Sequence, residues 1–167
     1  TGVTSVAVGG ALVLTNVNAI GRSTYDTQSG PAGTLSFSTL TTATFGGLQG
    51  ANGLVLQNDS AAAVALSIGG GNVSSSFSGG LSGPGSLTKV GTGTAALAGA
   101  STYGGTTTLV GGALQAGDPA ALSTGTITFS GGRLQYTAAS AATDWASRIV
   151  ASGSAIAIDT NGDRKST

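Results

Sequence analysis

The pentapeptide Val8-Gly9-Gly10-Ala11-Leu12 returns letter for letter as Val110-Gly111-Gly112-Ala113-Leu114, 102 residues further on. The echo runs beyond that segment. At the same offset Ala19-Ile20 meets Ala121-Leu122, and Leu54 and Leu56 lie over Ile156 and Ile158. Gly33-Thr34-Leu35-Ser36-Phe37 parallels Gly132-Arg133-Leu134-Gln135-Tyr136, and Phe45-Gly46-Gly47-Leu48-Gln49-Gly50 is echoed in Phe77 to Gly83. A chain that copies itself builds its core from like units, each burying the face that its neighbour leaves open. Here the copies suggest about one and a half units near 100 residues long, each made of shorter strand-turn modules.

The modules are visible as alternating apolar and small polar residues, closed off by Gly-Gly, Ser-Gly, Asn-Gly or Gly-Pro-Gly. Residues 11–14, 34–37, 54–56, 64–68, 126–129 and 155–158 follow this pattern and predict strands with one face buried. Gly, Ala, Ser and Thr supply 101 of the 167 residues, and helix formers such as Lys, Glu, Met and Gln are scarce or missing. The helix-compatible stretch Ala138 to Arg148 has no apolar stripe, so an irregular loop insertion is expected over residues 138–153. One domain spans residues 1–167. Stacking the modules in parallel places Leu, Ile, Val and Phe in inward ladders and Thr and Ser in outward ones. Pro31 and Pro84 fall in Gly-rich corners, where a missing N–H breaks no ladder bond. An antiparallel sandwich would show more two-residue hairpins and a more charged outer face. The expected fold is an all-β solenoid.

The residue inventory excludes many functions. Charged residues are 7% of the chain and the net charge is zero, so nucleic-acid binding, which needs clustered Lys and Arg, is not expected. His, Cys and Glu are absent, which removes the usual general base, the thiol nucleophile and thiolate or imidazole metal sites. Zero Cys fits either the cytosol or a bacterial exterior. No run approaches the length of a membrane helix. The first residue is Thr and no signal peptide precedes it, the pattern of a processed protein or an excised fragment.

Residues 85–107, from Gly85-Ser86-Leu87-Thr88-Lys89-Val90-Gly91-Thr92-Gly93-Thr94 through Leu97, Gly99, Tyr103-Gly104-Gly105-Thr106-Thr107, carry a resemblance. With Leu109 to Leu114 they are similar to the autotransporter-associated β-strand repeat, also called the passenger-associated transport repeat. The similarity is densest over residues 80–116. Ala95 replaces the usual Leu, Ser101 the usual Asn, and one residue is missing between Tyr103 and Gly104. The resemblance implies a right-handed parallel β-helix in the secreted passenger of an outer-membrane autotransporter. It also implies an extracellular or cell-surface location and a translocator barrel as partner. Its attributed role is export and display, and no catalytic residue comes with it.

Some residues invite sharper readings. Ser86-Leu87-Thr88-Lys89 fits the S-x-x-K start of a serine β-lactamase signature, but its S-D-N and K-T-G companions are missing. Leu87 inward and Lys89 outward on a strand is the expected arrangement. Asp159, Asn161 and Asp163 are spaced like the first ligands of a calcium loop, without its Gly and closing Glu, and are read as a turn. Arg148 is expected to tie the irregular segment down, with Asp144 and Asp159 as ion-pair partners. Trp145 is expected to plug a wide turn. The pairs Thr92/Thr94, Thr106/Thr108, Thr124/Thr126 and Thr126/Thr128 resemble the outward arrays of ice-binding solenoids, but at irregular spacing.

The expected function is therefore a structural surface module, a β-helical stalk for export, display or adhesion. A ligand-binding adhesin or ice-binding solenoid is the alternative, and a polysaccharide-acting enzyme is the weaker one. A host-surface or glycan ligand and end-to-end self-association through uncapped turns are the expected partners. Catalytic, cofactor-binding and metal-ligating residues: none are assigned.

Overall fold

Residues 2–150 and 152–160 are described by a computed structural model of the chain. Strands of two to eight residues alternate with glycine corners, and the chain winds as a β-solenoid. The first turn holds β1 (Val3–Ser5) and β2 (Ala11–Val13), the second β3 (Ile20–Asp26) and β4 (Thr34–Ser36). The third holds β5 (Thr42–Gln49) and β6 (Leu54–Val55), the fourth β7 (Ala65–Ile68), β8 (Ser75–Phe77) and β9 (Leu81–Ser82). The fifth has β10 (Ser86–Lys89) and β11 (Thr94–Leu97), the sixth β12 (Thr107–Leu109) and β13 (Ala113–Ala116). The seventh has β14 (Ile127–Phe129) and β15 (Arg133–Tyr136), and β16 (Ile158–Asp159) begins an eighth.

Like strands of successive turns pair in parallel. A seven-stranded sheet runs β1-β3-β5-β7-β10-β12-β14, and a five-stranded sheet runs β16-β15-β13-β11-β8. The pairs β2-β4 and β6-β9 make two smaller sheets. In the large sheet Ala43 lies beside Leu66, Leu66 beside Leu87, Leu87 beside Thr107 and Thr107 beside Ile127. The step from turn to turn thus falls from 23 residues to a steady 20. The 102-residue echo does not join like positions, since Ala11 stands in β2 of a two-stranded sheet and Ala113 in β13 of the five-stranded sheet. The repeating unit is one turn, not the longer block.

Side chains in a strand alternate between faces, so each turn commits every second residue to the interior. The column just traced is buried throughout. A second column, Phe45, Ile68, Lys89, Leu109 and Phe129, is buried beside it. From the other sheet Ala95, Leu114 and Leu134 form one inward column, and Phe77, Leu97 and Ala116 another. Aromatic rings fill the wider early turns: Phe45 stacks on Phe37 at 6.2 Å and tilts against Tyr25 at 5.5 Å. Glycine makes the corners. Gly91 has φ +69°, and a Cβ there would run into the Gly69 carbonyl of the turn before.

One expectation at the far end needs correction. The strand expected over 155–158 starts only at Ile158, and Ile156 and Ile158 are exposed rather than inward. Ile158 does lie beside Leu134, but the described residues place no further turn over it. The expected insertion 138–153 falls between β15 and β16, where the described residues are irregular apart from one 3-10 turn, Ala146–Arg148. That segment rejoins the large sheet at Ile149, which bridges Ile127 in parallel.

Inside and outside positions differ sharply in what they tolerate. Leu87→Ala should cost about 2–5 kcal/mol, because Leu87 is fully buried between Leu66 and Thr107. Thr88→Ala, one residue along on the outward face, should stay within about 0.5 kcal/mol. Urea unfolding of both variants checks the contrast; equal losses would contradict the assigned faces.

Candidate functional site

Lys89 is the one charged side chain among the described residues with no exposure at all. Its aliphatic stem fills the inward column between Ile68 and Leu109. Its ammonium reaches the corner after β10, where Nζ donates to Val90 O at 2.5 Å, Gly91 O at 3.2 Å and Gly111 O at 3.2 Å. An ammonium has three donors and no acceptor, so three converging carbonyls match it. Burial pulls its pKa below the ordinary 10.5, and the charge of Arg133 pulls the same way. The expectation of an outward Lys89 is therefore overturned. The missed signal was the alternation itself, since Leu87 and Lys89, two apart, share a face.

The same alternation separates Ser86 from Lys89. They lie three apart on β10, Ser86 on the outward face and Lys89 on the inward one. A base must come within hydrogen-bond reach of its nucleophile, and this strand holds the two apart.

The outward face of the large sheet collects hydroxyls. One column runs Thr42, Ala65, Ser86, with Thr106 and Thr126 continuing it; the next runs Thr44, Ser67, Thr88, Thr108, Thr128. Thr106 and Thr126 hydrogen-bond through their hydroxyls at 3.0 Å. Of the T-x-T pairs, Thr106/Thr108 and Thr126/Thr128 stack on adjacent turns, whereas Thr94 belongs to β11 in the other sheet. The spacing expected to be irregular is one turn. The five-stranded sheet presents a different outward column, Ser76, Ala96, Gln115, Gln135 and Asp159. Gln115 Nε2 donates to Gln135 Oε1 at 2.9 Å, and Gln135 Nε2 to Asp159 Oδ2 at 3.1 Å.

The remaining candidates serve the irregular segment or the chain end. Trp145 is buried and packs on Tyr136, ring centroids 4.8 Å apart, as an aromatic plug. Arg148 does tie the segment down, but through carbonyls: Nε donates to Gly125 O and Nη1 to Leu122 O, both at 2.9 Å. The expected carboxylate partners are used elsewhere. Asp144 Oδ1 accepts from the Ala146 N–H at 2.8 Å, and Asp159 pairs with Arg133 at 3.6 Å. Asp159 lies in β16, while Asn161 and Asp163 lie outside the described residues. Among the described residues no group of three or more acidic side chains is placed to hold a metal ion.

Compared with known proteins, the chain matches no family model, no curated protein and no solved structure.

The buried ammonium gives stability a pH dependence. With its folded pKa lowered, Lys89 holds fewer protons folded than unfolded, so stability rises with pH from that lowered value to about 10.5. Tyr25, Tyr103 and Tyr136, raised by burial, act in the opposite sense above about 10. A comparison with Lys89→Met cancels the tyrosines. The wild type should gain on the variant as pH rises from neutrality to about 10.5, followed by thermal melts. A constant difference across that range would contradict a captive Lys89.

Proposed function

We propose that the chain is a structural module of an autotransporter-type surface protein, a solenoid stalk that assists export and displays other parts of its parent. The observation that carries this reading is where the repeat-like segment spends its side chains. Leu87, Lys89, Leu97, Tyr103, Leu109 and Leu114 all point inward and are at most 1% exposed. Tyr103 adds a hydrogen bond between its ring hydroxyl and the Thr107 hydroxyl at 2.6 Å. Even Ala95, which stands where the repeat usually has Leu, keeps its inward place. These residues build turns; they line no cleft.

Export follows from the same economy. Each turn needs only the turn before it as a template, so folding can advance as the chain emerges, with no energy source outside the cell. A chain without cysteines forms no disulfide that would block passage through a narrow pore. Val3, Val8 and Val13 stand exposed on the first turn, an apolar rim on which another turn, or a second copy, can stack.

The reading is tested by placing the chain between a secretion signal and a translocator barrel in a Gram-negative cell. It should reach the cell surface in a protease-resistant form. A chain with Leu66 and Leu87 both changed to Asp should stall or be degraded. Retention of the unaltered chain in the periplasm would count against the proposal.

A further inference from the structure

We infer that the outward face of the seven-stranded sheet is a binding surface for crystalline water, that is, for ice. The inference rests on the fold and stands apart from the export reading. Five successive turns, from the third to the seventh, each place two residues on this face, two positions apart on one strand: Thr42 and Thr44, Ala65 and Ser67, Ser86 and Thr88, Thr106 and Thr108, Thr126 and Thr128. Nine of the ten carry a hydroxyl, and none is charged or aromatic.

The geometry is a two-dimensional grid. Neighbouring strands lie about 4.8 Å apart, and alternate residues on one strand about 6.6 Å apart. Both distances are close to repeats of the oxygen lattice in ice. The grid is held by strands whose opposite sides are locked into the interior, so its spacing is fixed in advance rather than formed on contact. Each threonine offers a hydroxyl that donates once and accepts twice, and a methyl that cannot compete for water. Waters seated between such columns take the spacing of the protein. A charged side chain would instead hold a hydration shell of its own.

The face also argues against other occupants. Sugars are commonly gripped by flat aromatic rings, and this face has none among its ten residues. An acidic or basic partner would find no opposite charge to meet among these ten residues. A partner that repeats in both directions can satisfy the whole grid at once. The five-stranded sheet serves as an internal control, because its outward face carries long amides, Gln115 and Gln135, and the Arg133–Asp159 ion pair in place of hydroxyl columns.

The test uses the whole chain in assays of ice recrystallisation and of thermal hysteresis, with an inert protein of similar mass for reference. The unaltered chain should arrest ice growth. Thr108→Lys, in the fourth of the grid's five turns, should weaken the effect by on the order of tenfold or more at unchanged melting temperature. Thr128→Lys provides the same test nearer the end of the grid if the first variant folds poorly. Gln115→Lys, on the other sheet, should retain full activity. An inactive wild type overturns the inference, as does binding to crystalline chitin or cellulose without any effect on ice. Full activity in a folded lysine variant of the grid, or an equal loss in Gln115→Lys, overturns it too.

Discussion

Everything in this molecule depends on the backbone hydrogen bonds that join one turn to the next at a fixed step. From the fourth turn onward that step is 20 or 21 residues in the large sheet, and it brings like positions into vertical register. Bonds outside the strands keep the same beat: Val110 N donates to Lys89 O, Gly104 N to Gly83 O and Gly105 N to Gly85 O. Because parallel strands join residues of the same phase, a side chain chosen once is met by its counterpart above and below. Ladders are therefore a consequence of the step, not an added feature.

The step also decides what the interior must solve. A narrow core leaves room for few large side chains, and glycine corners bring carbonyl oxygens of successive turns close together. Those oxygens need donors wherever water is shut out. Lys89 meets that need at one corner, its stem apolar enough to replace a leucine and its ammonium matched to three carbonyls. Arg148 does similar work farther along, binding Gly125 O and Leu122 O and so fastening the irregular segment above the seventh turn. In both places a cation is held by backbone dipoles instead of a carboxylate. This is how a chain so poor in charge still uses the charges it has.

Much of the fold can be read from short alternating runs. Val64 to Ile68 and Thr126 to Phe129 become β7 and β14 with the expected faces inward, and the glycine-rich corners fall where predicted. The turn length was harder to see, because the early turns are swollen. Leu54 pairs with Leu81, 27 residues on, while Leu87 pairs with Thr107, only 20 on. Uneven turns scatter Thr42/Thr44, Ser86/Thr88 and Thr106/Thr108 along the sequence, although the sheet aligns them. Lys89 departs from expectation for a different reason: the period of two that places it inward beside Leu87 outweighs the general preference of a charge for the surface. Ile156 stays exposed because it precedes β16, which among the described residues has a partner strand on one side only, so an alternating pattern there does not ensure burial.

The stacking step itself is open to a direct measurement. The chain has no native cysteine, so pairs of nitroxide spin labels can be attached without background. Labels at positions 88 and 108 stand on adjacent strands of the large sheet, and labels at 88 and 128 stand two strands apart. The backbones at these pairs should be separated by about 5 Å and about 10 Å. Dipolar broadening should therefore be strong for the first pair and clearly weaker for the second. Weak broadening at 88/108, or stronger broadening at 88/128, would contradict parallel stacking at a 20-residue step.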